Sequence, residues 1–284
     1  MVRFIRSKWA RVALIGLFMV LSQSLLQAQE RRVALVIGND AYEGGMRLSK
    51  AVNDAKLIAE SLKVSGFDVT TLFDAQKNQI VNVLEKVTKS LGHTDAFLLY
   101  FAGHGVEIRG VNYLLPIDAN SASAHALVAS SISLQSLFAQ AQQSAVQIWV
   151  FDACRDNPFV SKTRGLRPSV WGGNESSTYQ LMTTTHFSTD TSLTSKALVR
   201  TASAQRGTSG SLTLYSSGAD SCPSEDSNGT VTVFADSLAR QIRLGGDVET
   251  ATRIIRREVS ERSGGRQVPQ IVSSLTGDLS LKRP

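Results

Sequence analysis

Two residues of this chain, Cys154 and His104, have the chemistry and the setting of a nucleophile and its base. A free thiol has a pKa of about 8.5 and is only a few per cent thiolate at neutral pH. A neighbouring imidazole takes up that proton and later returns it to a leaving group. Gly103 and Gly105 flank His104, so the backbone there comes close to a reactant and presents an N–H. That N–H and the one at Cys154 are of the kind that hold the oxyanion of an acyl-transfer intermediate. Each residue also has a plainer reading. A histidine after a strand is often structural, and a lone cysteine often packs as a small hydrophobe. Their joint position favours the chemical reading.

That position comes from the elements around them. Residues 96–102 (AFLLYFA) run into His104, and residues 146–151 (VQIWVF) run into Cys154. The first is a continuous apolar run and the second is interrupted only by Gln147, a pattern that marks strands covered on both faces. Residues 33–38 (VALVIG) and 67–73 predict two more strands. Between the strands, apolar residues recur at helical spacing: Ala51, Ala55, Ile58, Ala59 and Leu62, then Ile80, Leu84, Val87 and Leu91, then Leu134, Leu137, Phe138 and Ala141. This alternation predicts an α/β sandwich, a largely parallel central sheet with helices on both faces and right-handed crossovers. Ligands of such sheets bind outside the carboxyl ends of the strands. Polar clusters stand at those ends, at 38–40, Asn53 and Asp54, 103–105 and 152–156. If the strands before His104 and Cys154 are parallel neighbours, both side chains emerge at one edge.

The pattern lapses after Cys154. Residues 155–196 are rich in Ser, Thr and Gly with no sustained period, and so long a stretch inside a domain is usually functional or mobile. Residues 197–203 (ALVRTAS) are a candidate strand, and 205–228 read as a second polar loop. Val231, Phe234, Leu238 and Ile242, then Val248, Ala251, Ile255 and Val259, mark two closing helices. There is no internal repeat, metal-ligand cluster or phosphate loop. The run Gly38-Asn39-Asp40-Ala41-Tyr42-Glu43 fails the G-x-G-x-x-G test of dinucleotide sites, so neither a metal nor a cofactor is expected.

Composition narrows the partners. The 284 residues are 42% hydrophobic and 19% charged, enough for a sizeable core. The net charge of +6 invites a nucleic-acid reading, but Arg3, Arg6, Lys8 and Arg11 stand in the first 28 residues, which hold no acid; without them +2 remains. The remaining basic residues, such as Arg253, Arg256 and Arg257, read as a solvated helix face, so no nucleic acid is expected. The basic N-terminus, the apolar run at 12–21 and a cut after Ala28 read as a signal peptide over 1–28, which implies an exported, periplasmic or secreted protein. The run is short for a membrane span of about 20 residues. Leu26 is large for its place before the cut, so an uncleaved membrane anchor is the alternative. Cys154 and Cys222 are the only cysteines, and a bond between them would silence the nucleophile. His93, His125 and His186 read as surface residues.

At these residues the sequence resembles the caspase clan, and within it the bacterial caspase-like, metacaspase and paracaspase branch. The stretches RVALVIGNDAY, VNDA, LLYFAGHG, NYLLPID and VFDACRDNPF match in order between residues 32 and 159, and GGRQVPQ near the end is also similar. His104 and Cys154 are 50 residues apart, as in caspases. The resemblance implies a caspase-like fold and a cysteine endopeptidase working through a thioester. It puts His104 and Cys154 on the dyad and Gly105 on the oxyanion donor. It also implies a large-subunit-like part at 31–160, a Ser/Thr-rich loop at 161–196 and a small-subunit-like part at 197–284, with self-processing in between. The partner is then a polypeptide, cut after Arg or Lys. Where the caspase motif has Q-A-C, this chain has Asp152-Ala153-Cys154, and a carboxylate there attracts a basic substrate side chain. Asp54 matches a second acid of that pocket, although a helix-capping role is its simpler explanation. The competing function is a non-catalytic caspase-like module that binds peptides or partners.

Overall fold

A computed structural model describes residues 30–43, 45–153, 209–217 and 229–282. The N-terminal segment 1–28, Cys154, the loop 155–196, the candidate strand 197–203, His186 and Cys222 lie outside them.

The central sheet has six strands in the order β2-β1-β3-β7-β8-β9. These are β1 (Arg32–Gly38), β2 (Asp68–Phe73), β3 (Ala96–Gly103), β7 (Val146–Ala153), β8 (Gly210–Tyr215) and β9 (Gln270–Ser273). All neighbours are parallel except β8 and β9, which are antiparallel. Every residue of β1, β3 and β7 is buried, as their predominantly apolar runs predict.

Period-2 alternation divides the core between the two faces. One face carries Val36, Leu98, Tyr100, Ile148 and Val150 against α1 (Ala51–Val64), α5 (Val233–Leu244) and α6 (Val248–Arg262). The other carries Leu35, Ile37, Phe97, Phe101, Trp149 and Phe151 against α2 (Lys77–Lys89) and α4 (Leu134–Gln140). The sandwich read from the sequence is therefore the observed fold. Gly38 lets α1 lie close on β1, since a Cβ there would stand 2.6 Å from both the Ala51 carbonyl oxygen and Ala55 Cβ.

Three features depart from the expectations. A second, antiparallel sheet, β4 (Gly105–Ile108), β5 (Val111–Leu114) and β6 (Ile132–Ser133), starts directly after His104, with α3 (Ala124–Ser130) between its last two strands. The stretch read as a loop at 205–228 contains β8, where Leu212 and Leu214 are buried and the intervening residues are polar. Finally, β7 runs to Ala153, so Asp152 is a strand residue and not the start of a turn.

Candidate active site

The β3–β7 register pairs Ala102 with Asp152 and Gly103 with Ala153. The residue after Gly103 is His104, and the residue after Ala153 is Cys154, which lies outside the described residues. His104 stands at the carboxyl edge, between β3 and the start of β4, and is half-buried. Its Nε2 lies 2.7 Å from the Met46 carbonyl oxygen. A carbonyl only accepts, so Nε2 carries the proton and in the neutral ring the lone pair belongs to Nδ1. The His104 N–H donates to Tyr42 Oη at 3.0 Å. Of the two N–H groups at this glycine-flanked turn, His104's is therefore taken. Gly105, the residue carried over as oxyanion donor, is buried at the start of β4.

The two acids come together on the α1 side of the sheet. Asp152 is 5% exposed; its Oδ2 accepts from Tyr100 Oη at 3.3 Å and from Thr232 Oγ1 at 3.4 Å. Among the described residues its Oδ1 is buried without a hydrogen-bond partner. Asp54 is 1% exposed and accepts the Thr232 N–H at 2.8 Å. Asp54 is thus not a helix cap. The first N–H groups of α1, at Ala51 and Val52, are capped instead by the Asp40 carboxylate at 2.9 and 3.1 Å.

Burial is the main force on both carboxyls and disfavours their charged forms. It pushes Asp54 up to about 8, helped by the nearby Asp152 and opposed by Thr232 and Lys50. Burial also raises Asp152, to about 6, against the hydroxyls of Ser216, Tyr100 and Thr232. Ser216 Oγ is within electrostatic reach of this carboxyl but outside hydrogen-bond geometry. Two buried carboxyls thus share Thr232 as a neighbour, and among the described residues one oxygen of Asp152 has no donor.

A family model of the caspase domain matches residues 31–280. The chain belongs to the caspase domain family. Mucosa-associated lymphoid tissue lymphoma translocation protein 1 homolog of Mus musculus is 28% identical over 126 residues, which are 44% of this chain. The Homo sapiens protein of that name matches to the same extent. The match spans only 15% of the length of these relatives. A crystal structure of a Geobacter sulfurreducens protein has the same fold, with a TM-score of 0.54 and 16% identity over 86% of this chain and 93% of that one.

Within this caspase domain, three residues at the site had not been singled out for it. Thr232 ties both carboxyls together from the N-cap of α5, where its hydroxyl also accepts the Ala235 N–H at 3.1 Å. Its sequence signal was a Thr directly before the apolar stripe of a helix. Tyr42 and Met46 come from the segment between β1 and α1, which carries no periodicity to mark them. His93 and His125 are exposed. Among the described residues, no three His, Cys, Asp or Glu side chains are grouped to hold a metal.

Proposed function

We propose that the protein is a cysteine endopeptidase that cleaves after Arg or Lys, with Cys154 as nucleophile and His104 as general base. The observation that carries this reading is the β3–β7 register, in which the chain leaves the paired residues Gly103 and Ala153 into His104 and Cys154. His104 Nδ1 takes the thiol proton, and the thiolate sulfur attacks the scissile carbonyl carbon. The N–H groups of Gly105 and Cys154 receive the oxyanion. The C–N bond then breaks as the imidazolium gives its proton to the leaving amine. A water activated by the same imidazole hydrolyses the thioester and restores the thiol.

The basic preference is supported by Asp54 and Asp152. An entering guanidinium or ammonium group supplies donors to Asp152 Oδ1 and makes the charged state of the pair favourable. Self-processing at Lys162, Arg164, Arg167 or Lys196 follows from the same specificity. Export through the segment 1–28, or anchoring to a membrane by it, belongs to this proposal as well.

The decisive experiment is covalent labelling. An Arg-directed electrophilic peptide should modify the protein stoichiometrically, and mass spectrometry should find the adduct on Cys154. An adduct elsewhere, or equal labelling by a matched Asp peptide, would refute the assignment. Complete resistance to labelling, with tight binding of the unreactive peptide, would favour a non-catalytic peptide-binding module instead.

A further inference from the structure

Tyr42 has no part in the chemistry above, yet it holds the main chain of the proposed base. Its hydroxyl accepts the His104 N–H at 3.0 Å and donates to the Leu115 carbonyl oxygen at 2.8 Å. Leu115 in turn donates its N–H to the His104 carbonyl oxygen at 3.0 Å. The N–H and the C=O of His104 are thus both engaged, in a closed set of three hydrogen bonds. The Tyr42 ring also lies against the imidazole, with centroids 4.5 Å apart at 59°. Burial drives the Tyr42 pKa well above 10, so the O–H that donates to Leu115 stays intact at every working pH.

The neighbouring chain is built around this hydroxyl. A Cβ on residue 103 would stand 2.5 Å from Tyr42 Oη, which accounts for glycine there. Tyr42 and Met46, which takes the Nε2 proton of His104, belong to one segment. That segment is fixed at its start by Asp74, whose Oδ1 accepts the N–H groups of Asp40 and Ala41 at 2.8 Å each. Asp40 pins its far end through the cap on α1.

We propose that Tyr42 is a positioning residue for His104: its hydroxyl fixes the backbone from which the imidazole projects and, with Met46 at Nε2, sets the orientation of Nδ1. The inference rests on His104 being the base. The plainer role for Tyr42 is to fill the small core with Val106, Leu115 and Leu127. Phenylalanine separates the two roles, since it keeps the ring and loses only the hydroxyl.

The test compares full-length wild type, Tyr42→Phe, Gly103→Ala and His104→Ala. For each, kcat and KM are measured on an Arg peptide, with thermal stability and the pH dependence of Cys154 alkylation by iodoacetamide. Tyr42→Phe should lower kcat about tenfold to a hundredfold, since a misplacement of about 1 Å can cost 10²-fold, with KM within about twofold. The alkylation midpoint should move up toward the free-thiol value of about 8.5. Gly103→Ala, which crowds the hydroxyl but deletes no hydrogen-bonding group, should give the same signature. It serves as the second test if Tyr42→Phe does not fold. Unchanged kcat and midpoint in either folded variant, with only a lower Tm, would leave Tyr42 as core filling and overturn the proposal. Full activity in His104→Ala would remove the parent reading and this one with it. An inactive His104→Ala beside a fully active Tyr42→Phe would overturn this one alone.

Discussion

Asp54 of α1 and Asp152 of β7 are joined through one residue, Thr232, which gives its N–H to the first at 2.8 Å and its hydroxyl to the second at 3.4 Å. The same hydroxyl caps α5, whose N-terminus bears the partial positive charge of the helix dipole. Among the described residues, that dipole, the Thr232 N–H, Lys50 and the hydroxyls of Tyr100 and Thr232 act against the mutual repulsion of the pair. If the pair receives a basic side chain as proposed, its effects on stability and on substrate binding are separable by measurement.

Thr232→Val keeps the N–H to Asp54 and removes the hydroxyl. Loss of an N-cap costs about 0.5–2 kcal/mol, so unfolding should shift by that amount. KM for an Arg peptide should rise as Asp152 loses a donor. Calorimetry and steady-state kinetics check the two effects, and an unchanged Tm would contradict the capping role.

Asp152→Asn should abolish the preference for Arg while Cys154 still reacts with a small alkylating agent. Removing one partner of a buried charge pair costs about 2–5 kcal/mol. That is roughly 30-fold to several thousand-fold in kcat/KM at 1.4 kcal/mol per decade. Wild type should ignore a matched Asp peptide. An Arg preference that survives the substitution would take Asp152 out of the pocket.

The pair also predicts a pH dependence. Both folded-state pKa values are raised above the ordinary 3.8, to about 8 for Asp54 and about 6 for Asp152. Across that window the folded chain binds more protons than the unfolded one. The carboxyls thus favour folding fully below pH 4, and that contribution is lost as pH rises through 6 and 8. Arg cleavage should move the other way and rise with pH as the pair ionises. Asp54→Asn should flatten the stability profile and raise Tm at pH 8 by about 2–4 °C for each kcal/mol recovered. Stability that climbs from pH 4 to 8 in wild type, and equally in Asp54→Asn, would contradict the assignment.

Cys154→Ala should abolish hydrolysis and covalent labelling with little change in Tm. His104→Ala should lower the rate about 10² to 10⁴-fold, the usual worth of general acid–base catalysis. A loss smaller than about tenfold in His104→Ala would put the base elsewhere.

The parts of the fold that were legible in the sequence are those where burial on both faces leaves no choice of residue. Strands β1, β3 and β7 are predominantly apolar runs, and α1, α5 and α6 keep a full apolar stripe. Strand β8 was not legible because its two leucines, alternating with Ser211 and Thr213, are too short a signal inside a polar stretch, and it gains its place from pairing with β7 and β9. Strands β4 to β6 are only two to four residues long, so periodicity says little about them. The place of His104 and Asp152 at the carboxyl ends of β3 and β7 was legible because the apolar runs stop there. Thr232 and Tyr42 were not, because each acts through a contact between residues far apart in sequence, which only the folded chain brings together.

The bond from Thr232 to Asp54 joins residues separated by 178 positions. Ribosomal synthesis delivers Asp54 and Asp152 long before Thr232, so in an emerging polypeptide both acids exist while the residue that ties them together is still untranslated. Cleft assembly then waits on docking of α5 against α1.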